Sequence, residues 1–233
     1  VAGEVRCYSL PPFFVIQFEE RRLMTVITWA DFYDAVRDEA NKGNTLDKII
    51  PQKVFQSLRT LEQNYSYKWN EVLLKFLIRA DSENPNLLEL PNDFKSLIAL
   101  NLSTSGFEDC ARTLQEQDPS EFSFSKFKTP LGFWNQGNKI LWLDGNVKED
   151  TEGFLWYNRF TQRSEMEDGG TNPMLEHGFQ ALLGMTMQNL AAYCRESSWF
   201  DSYGRLTEIG LKTLHIADAE LRRGTETGTF GGI

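Results

Sequence analysis

Pro173 to Arg223 reads PMLEHGFQALLGMTMQNLAAYCRESSWFDSYGRLTEIGLKTLHIADAELRR, and the architecture turns on its apolar spacing. Phe179, Leu182, Leu183, Met187, Leu190, Tyr193 and Cys194 fall at helical spacing, and Tyr203, Leu206, Gly210, Leu214, Ala217 and Leu221 repeat the pattern. That period puts each set on one face of a helix. Two such helices cannot bury both faces on each other alone. They need further helices, and the comparable ones lie far back, near residues 28–66. The stretch between reads as β. The chain is therefore expected to be α+β. An antiparallel helical bundle over 24–80 and 171–223 is interrupted by a small antiparallel β insertion domain over 81–170. An extended, flexible C-terminal tail follows over 224–233.

The earlier helices have their own signals. Thr28 caps a helix to about Ala40, with Asp31 near its positive end and Trp29, Phe32, Tyr33, Val36 and Ala40 as its stripe. A second starts near Pro51, with Val54, Leu58, Leu61 and Tyr65 as its face. Val72 to Ile78 is a dense apolar run whose length suits a buried strand. Leu87 to Leu90, Phe94 to Leu102, Arg112 to Gln115 and Gly153 to Phe160 are further strand candidates, and Pro119-Ser120-Glu121 reads as a helix start. Leu131 to Trp134 and Lys139 to Leu143 form a hairpin around Asn135-Gln136-Gly137-Asn138.

At 233 residues, 41% hydrophobic and 13% aromatic, the chain has the material for a folded core. A formal charge of −9 argues against gripping phosphates over the whole surface, and leaves open both a local basic patch and an acidic lumen through which DNA slides. Cys7, Cys110 and Cys194 are widely spaced, with neither zinc spacing nor a disulfide framework, so a reducing compartment is expected. No apolar run approaches the ~20 residues that span a membrane. Residues 1–23 carry the interrupted apolar run Leu10 to Phe18 without the basic start or cleavage site of a signal peptide. They are read as a peripheral arm, or as translation from an over-extended start ahead of Met24.

No catalytic constellation stands out. His177 and His215 lie on helices without a second ligand at metal spacing. Cys194 belongs to an apolar stripe, and Cys110 has no motif partner. Ser103-Thr104-Ser105-Gly106 is not a nucleophile elbow. Gly224, Gly228, Gly231 and Gly232 lack the Lys-Ser/Thr of a phosphate loop. Glu165, Glu167 and Asp168 read as a solvated loop without calcium-ligand spacing. Lys126, Lys128, Arg159 and Arg163 are scattered rather than concentrated on one basic face. The residues thus point to assembly rather than catalysis, with no catalytic, metal or cofactor residue expected. Two other classes stay open: a small enzyme with a motif-free site, and a helical nucleic-acid-binding regulator.

Several segments carry a family likeness. They are Leu90-Pro91-Asn92-Asp93-Phe94, Gly137 to Leu143, Gly153-Phe154-Leu155-Trp156-Tyr157-Asn158, Asn172-Pro173 followed by Ala191-Ala192-Tyr193, and Asp218 to Arg223. In this order they resemble the head-to-tail connector adaptor proteins of short-tailed phages, over roughly residues 25–230. Where the family often ends its central strand with proline, this chain has Asp144-Gly145, another tight turn. The resemblance implies a structural virion protein at the head–tail interface, present in the host cytoplasm before assembly. Copies, commonly twelve, form a ring on the portal, carry the tail, nozzle or tail fibre proteins and help retain packaged DNA. DNA passes through the lumen without sequence-specific binding. The C-terminal tail reaches the portal or a neighbouring subunit, which makes Arg222, Arg223, Thr225, Thr227 and Phe230 the candidate partner-binding residues. Arg222 and Arg223 also suit the negative end of the last helix. A stopper or tail-completion protein is the nearest rival within the same class.

Overall fold

The structure, a computed structural model, describes residues 27–103, 111–118, 120, 130–145, 147, 149–167 and 169–226. Thr28 caps α1 (Trp29–Ala40). Its hydroxyl accepts from the Asp31 amide at 3.2 Å, while Asp31 accepts from the Thr28 amide at 2.8 Å. That reciprocal pair satisfies amides that a helix start leaves open. α2 (Ile50–Asn64) carries Pro51 in its first turn and buries Ile50, Val54, Leu58 and Leu61. Asn172 caps the short α3 (Pro173–His177), accepting from the Met174 amide at 2.8 Å. α4 (Phe179–Cys194) and α5 (Ser198–Glu226) follow as an antiparallel hairpin. One core, including Trp29, Phe32, Leu58, Met174, Leu182 and Leu190, joins these elements.

The α4–α5 seam is built from small residues. Gly178 lies against Leu214, Gly184 against Thr207, and Gly210 against the backbone of Ala181. Without a Cβ at these points the two helix backbones approach closely. The expected stripes are only partly realised. Leu182, Met187, Leu190, Gly210 and Leu214 are buried, but Tyr193 and Leu221 are exposed.

Among the described residues the β half has two four-stranded sheets. The first contains β1 (Glu71–Ile78), β3 (Phe94–Ser103), β4 (Ala111–Thr113) and β8 (Thr151–Arg159), in the order β1-β8-β3-β4 and antiparallel throughout. The second contains β2 (Leu87–Glu89), β5 (Gln115–Glu116), β6 (Gly132–Gln136) and β7 (Ile140–Leu143), in the order β2-β7-β6-β5. Its β5–β6 pair is parallel. The β6–β7 hairpin turns through Gly137 and Asn138, both at positive φ, which suits the right-handed strand twist. Leu100, Leu102, Leu155 and Tyr157 from the first sheet share a core with Phe133, Leu141 and Leu143 from the second.

The expectation of an antiparallel helical bundle with a small β insertion is therefore wrong. The described residues are mixed α/β: they form five α-helices and two sheets, with separate helical and β cores. The reason lies in strand pairing. β1, assigned to the helical unit, pairs along its full length with β8, from Glu71↔Asn158 to Ile78↔Thr151. β8 also pairs with β3, so the first sheet draws strands from both sides of the boundary expected at residue 80. β1 is moreover an edge strand with exposed leucines, not a buried one. The last helix continues through Gly224 to Glu226, into the segment expected to be an extended tail. The arm over 1–23, the helix start at Pro119-Ser120-Glu121 and residues 227–233 fall largely or wholly outside the described residues.

A buried carboxylate joins the two halves. Glu62 of α2 is 1% exposed. It accepts from the Thr161 amide at 3.1 Å, the Thr161 hydroxyl at 2.5 Å and the Asn70 side-chain amide at 3.2 Å. Asn172 in turn donates to the Thr161 hydroxyl at 3.3 Å. Desolvation pushes the Glu62 carboxyl above its ordinary 4.5, with the Thr161 and Asn70 bonds and nearby Arg59 opposing the shift. The folded state thus holds this proton more tightly than the unfolded chain does. The resulting stability is fully present below 4.5 and is lost as pH rises through the raised folded value. Glu62→Gln should remove this dependence. Urea midpoints of wild type should fall relative to the variant as pH rises from acid toward neutrality; parallel curves would contradict the shift.

Candidate interaction surfaces

The polar groups that most resemble chemistry serve packing. The rings of His215 and Tyr65 meet edge-on at 4.4 Å, and His177 tilts against Trp69 at 5.7 Å. Tyr65, Tyr67 and Trp69 link the two, with Tyr67 and Trp69 stacked at 4.7 Å. Burial is the main cause pushing the Tyr67 phenol well above its ordinary value. Glu165 grips Arg159 through two hydrogen bonds of 3.1 and 2.8 Å and accepts from the Gln162 amide. That loop carboxylate therefore fixes a turn after β8. Cys194 is a free thiol, half-buried against the helical core. Among the described residues no three His, Cys, Asp or Glu side chains are grouped to hold a metal ion. A cleft of about 150 Å³ is lined by Tyr33, Pro51, Arg163 and Met166. An open groove of about 380 Å³ runs between the ends of β1 and β2, beside Leu77, Ile78, Leu87 and Leu88.

The candidate partner-binding arginines part company. Arg222 faces its own chain: it reaches Asp218 at 2.8 Å, Glu71 at 3.1 Å and the Ser66 carbonyl at 2.7 Å. Asp218 also accepts from the Lys68 amide at 2.5 Å, and Lys68 pairs with Glu71 at 2.7 Å. This network pins the end of α5 to the segment entering β1. Arg223 is exposed one residue on, and Thr225 lies in the last turn of the helix. Thr227, Phe230, Lys126 and Lys128 lie outside the described residues.

What stands out is apolar surface. On β1, Val72, Phe76 and Ile78 turn into the β core, so Leu73, Lys75 and Leu77 share the opposite face. Leu73 is 63% and Leu77 51% exposed. Leu73 pairs with Trp156 of β8, itself 38% exposed, and the Lys68 ammonium stands 5.4 Å from that indole. Two more exposed aliphatics lie on α5, where Ile209 is 56% and Ile216 61% exposed. Exposed Tyr193 and Phe200 flank the α4–α5 turn. Exposed apolar side chains grouped on one face of an element are candidate contact sites. Sequence reasoning missed the sheet face because β1 is apolar on both sides, the pattern of a strand covered twice. Ile209 and Ile216 fall outside the stripe assigned to the core, and that was the available signal.

No protein-family model matches this chain, and no curated protein matches it. No helix among the described residues is long and apolar enough to cross a membrane.

Proposed function

We propose that this protein is a structural virion subunit, a head-to-tail adaptor that packs as a ring on the portal and carries tail or nozzle components. The observation that carries this reading is the uncovered face formed by Leu73 and Leu77 of the edge strand β1 with Trp156 of the neighbouring β8. Such a face is stabilised by burial against another chain, and an edge strand adds unpaired backbone groups that a partner can use. The likeness of Leu90 to Phe94, Gly137 to Leu143 and Gly153 to Asn158 to the adaptor family supplies the identity of the assembly. Arg222 sets the end of α5 against β1, and residues beyond Glu226 are the segment proposed to reach the portal. DNA runs through the lumen of the ring without sequence-specific contacts.

Gold labelling of a tagged copy in assembled particles tests this reading. Label at the single tail-bearing vertex, between portal and tail, is expected. Purified particles that lack the protein would overturn it, and label only at the far end of the tail would favour another tail role. Deleting residues 227–233 should leave the thermal transition unchanged while weakening portal loading. Unimpaired loading by the truncated protein would remove the tail from the account.

A further inference from the structure

Arg205, Ile209, Lys212, Ile216, Ala219 and Arg223 follow one another along α5 at steps of four, three, four, three and four. That spacing places them on one stripe of the helix. All are exposed except the half-buried Ala219. From Arg205 to Arg223 the stripe holds three cations and two large aliphatics and no acid, with exposed Asp201 one step of four before it, in a chain whose net charge is −9. Neither Arg205 nor Lys212 has an ion-pair partner among the described residues. The stripe does not suit its own copy: two-fold packing of α5 on α5 would face cations with cations, which is destabilising. It suits an apolar surface with an acidic border.

The molecule displays such a surface elsewhere. Leu73, Leu77 and Trp156 form the open face of the first sheet. At the Ile78–Thr151 end of that face stand Asp81, Glu83, Glu149, Asp150 and Glu152, all exposed. Glu152 pairs with Lys75 of the face at 2.7 Å and Arg79 is the other cation there, which leaves three acids in excess among the described residues. Asp150 is tied to this end by accepting from the Ala80 amide at 3.0 Å. The lengths also agree: the stripe from Arg205 to Arg223 spans about 27 Å at the helical rise, and β1 spans about 23 Å at the strand rise.

We infer that α5 of one copy lies on the first sheet of the next, its Arg–Ile–Lys–Ile stripe covering Leu73, Leu77 and Trp156. Helix face and sheet face are different surfaces, so the contact is heterologous and repeats from copy to copy until a ring closes. This rests on the ring reading above and assigns its subunit contact.

Mass photometry and sedimentation velocity on the full chain test the inference. Wild type should self-associate with rising concentration, and more weakly at high salt. Ile216→Asp and Leu73→Arg should each weaken association at least tenfold, with Leu77→Arg as a second sheet-face variant should Leu73→Arg fail to fold. Unchanged circular dichroism and Tm establish that each variant is folded. A one-to-one mixture of Ile216→Asp with Leu73→Arg retains one intact helix face and one intact sheet face. It should therefore form heterodimers that grow no further. Three results would overturn the contact: a monomeric wild type at every concentration, folded variants that associate like wild type, or a mixture that forms no heterodimer. Lys212→Glu that keeps full association but loses binding to duplex DNA would reassign the stripe to nucleic acid. If wild type loads portal rings and the folded variants load equally well, the adaptor reading stands and this contact falls. Variant-sensitive self-association without portal binding gives the reverse.

Discussion

Gly210→Ala is expected to destabilise the protein, although the same change inside a helix ordinarily gains about 1 kcal/mol. A Cβ at Gly210 would stand 2.2 Å from the Ala181 nitrogen and 2.7 Å from its Cα. Those are backbone atoms of α4, so no rotamer change relieves the clash and the helix axes must separate. Overpacking of this kind costs about 1–3 kcal/mol, and the upper end is expected where backbone blocks backbone. Gly224→Ala provides the control in the same helix. Among the described residues nothing lies within 4 Å of its added Cβ, so it should gain up to about 1 kcal/mol. Urea unfolding of the two variants, read as midpoint shifts of opposite sign, checks the α4–α5 seam. A gain from Gly210→Ala would mean that the helices cross elsewhere.

The second large effect is Leu190→Asp. Leu190 is fully buried within the helical core. The substitution strands a carboxylate there, and the penalty approaches the ~5–15 kcal/mol that holds an ordinary domain together. The variant should lack the cooperative thermal transition and the near-ultraviolet circular dichroism of wild type. Leu73→Arg, also a charge placed in an apolar run, should keep both. That contrast follows from exposure rather than residue type, so a folded Leu190→Asp would contradict the assigned core.

Much of the local structure was legible because it rests on local chemistry. Thr28 and Asp31 specify the start of α1, Pro51 fits the first turn of α2, and Gly137-Asn138 specifies the β6–β7 turn. The overall class was not legible, because the decisive contacts are distant in sequence. Nothing in Glu71 to Ile78 announces pairing with Thr151 to Asn158, and that pairing turns an expected insertion into half of a mixed α/β molecule. The helical hairpin misled in another way. Its seam relies on Gly184, Gly210 and Ala181, whose value is closeness rather than hydrophobic area, so a search for large apolar residues assigned Tyr193 and Leu221 inward. In sequence, Arg222 shows only its position at a helix end. Besides Asp218 one turn back, its partners include Glu71 and the Ser66 carbonyl, about 150 residues earlier in the chain.

The most direct measurement is the mass of portal rings before and after mixing with this protein, the portal taken from the genome that encodes the chain. A gain of about one copy per portal subunit is expected, near twelve, the copy number that the resemblance to the adaptor family implies. The same portal should gain no such ring from the Ile216→Asp variant. An unchanged portal mass, with the protein folded and the portal intact, would contradict the adaptor reading.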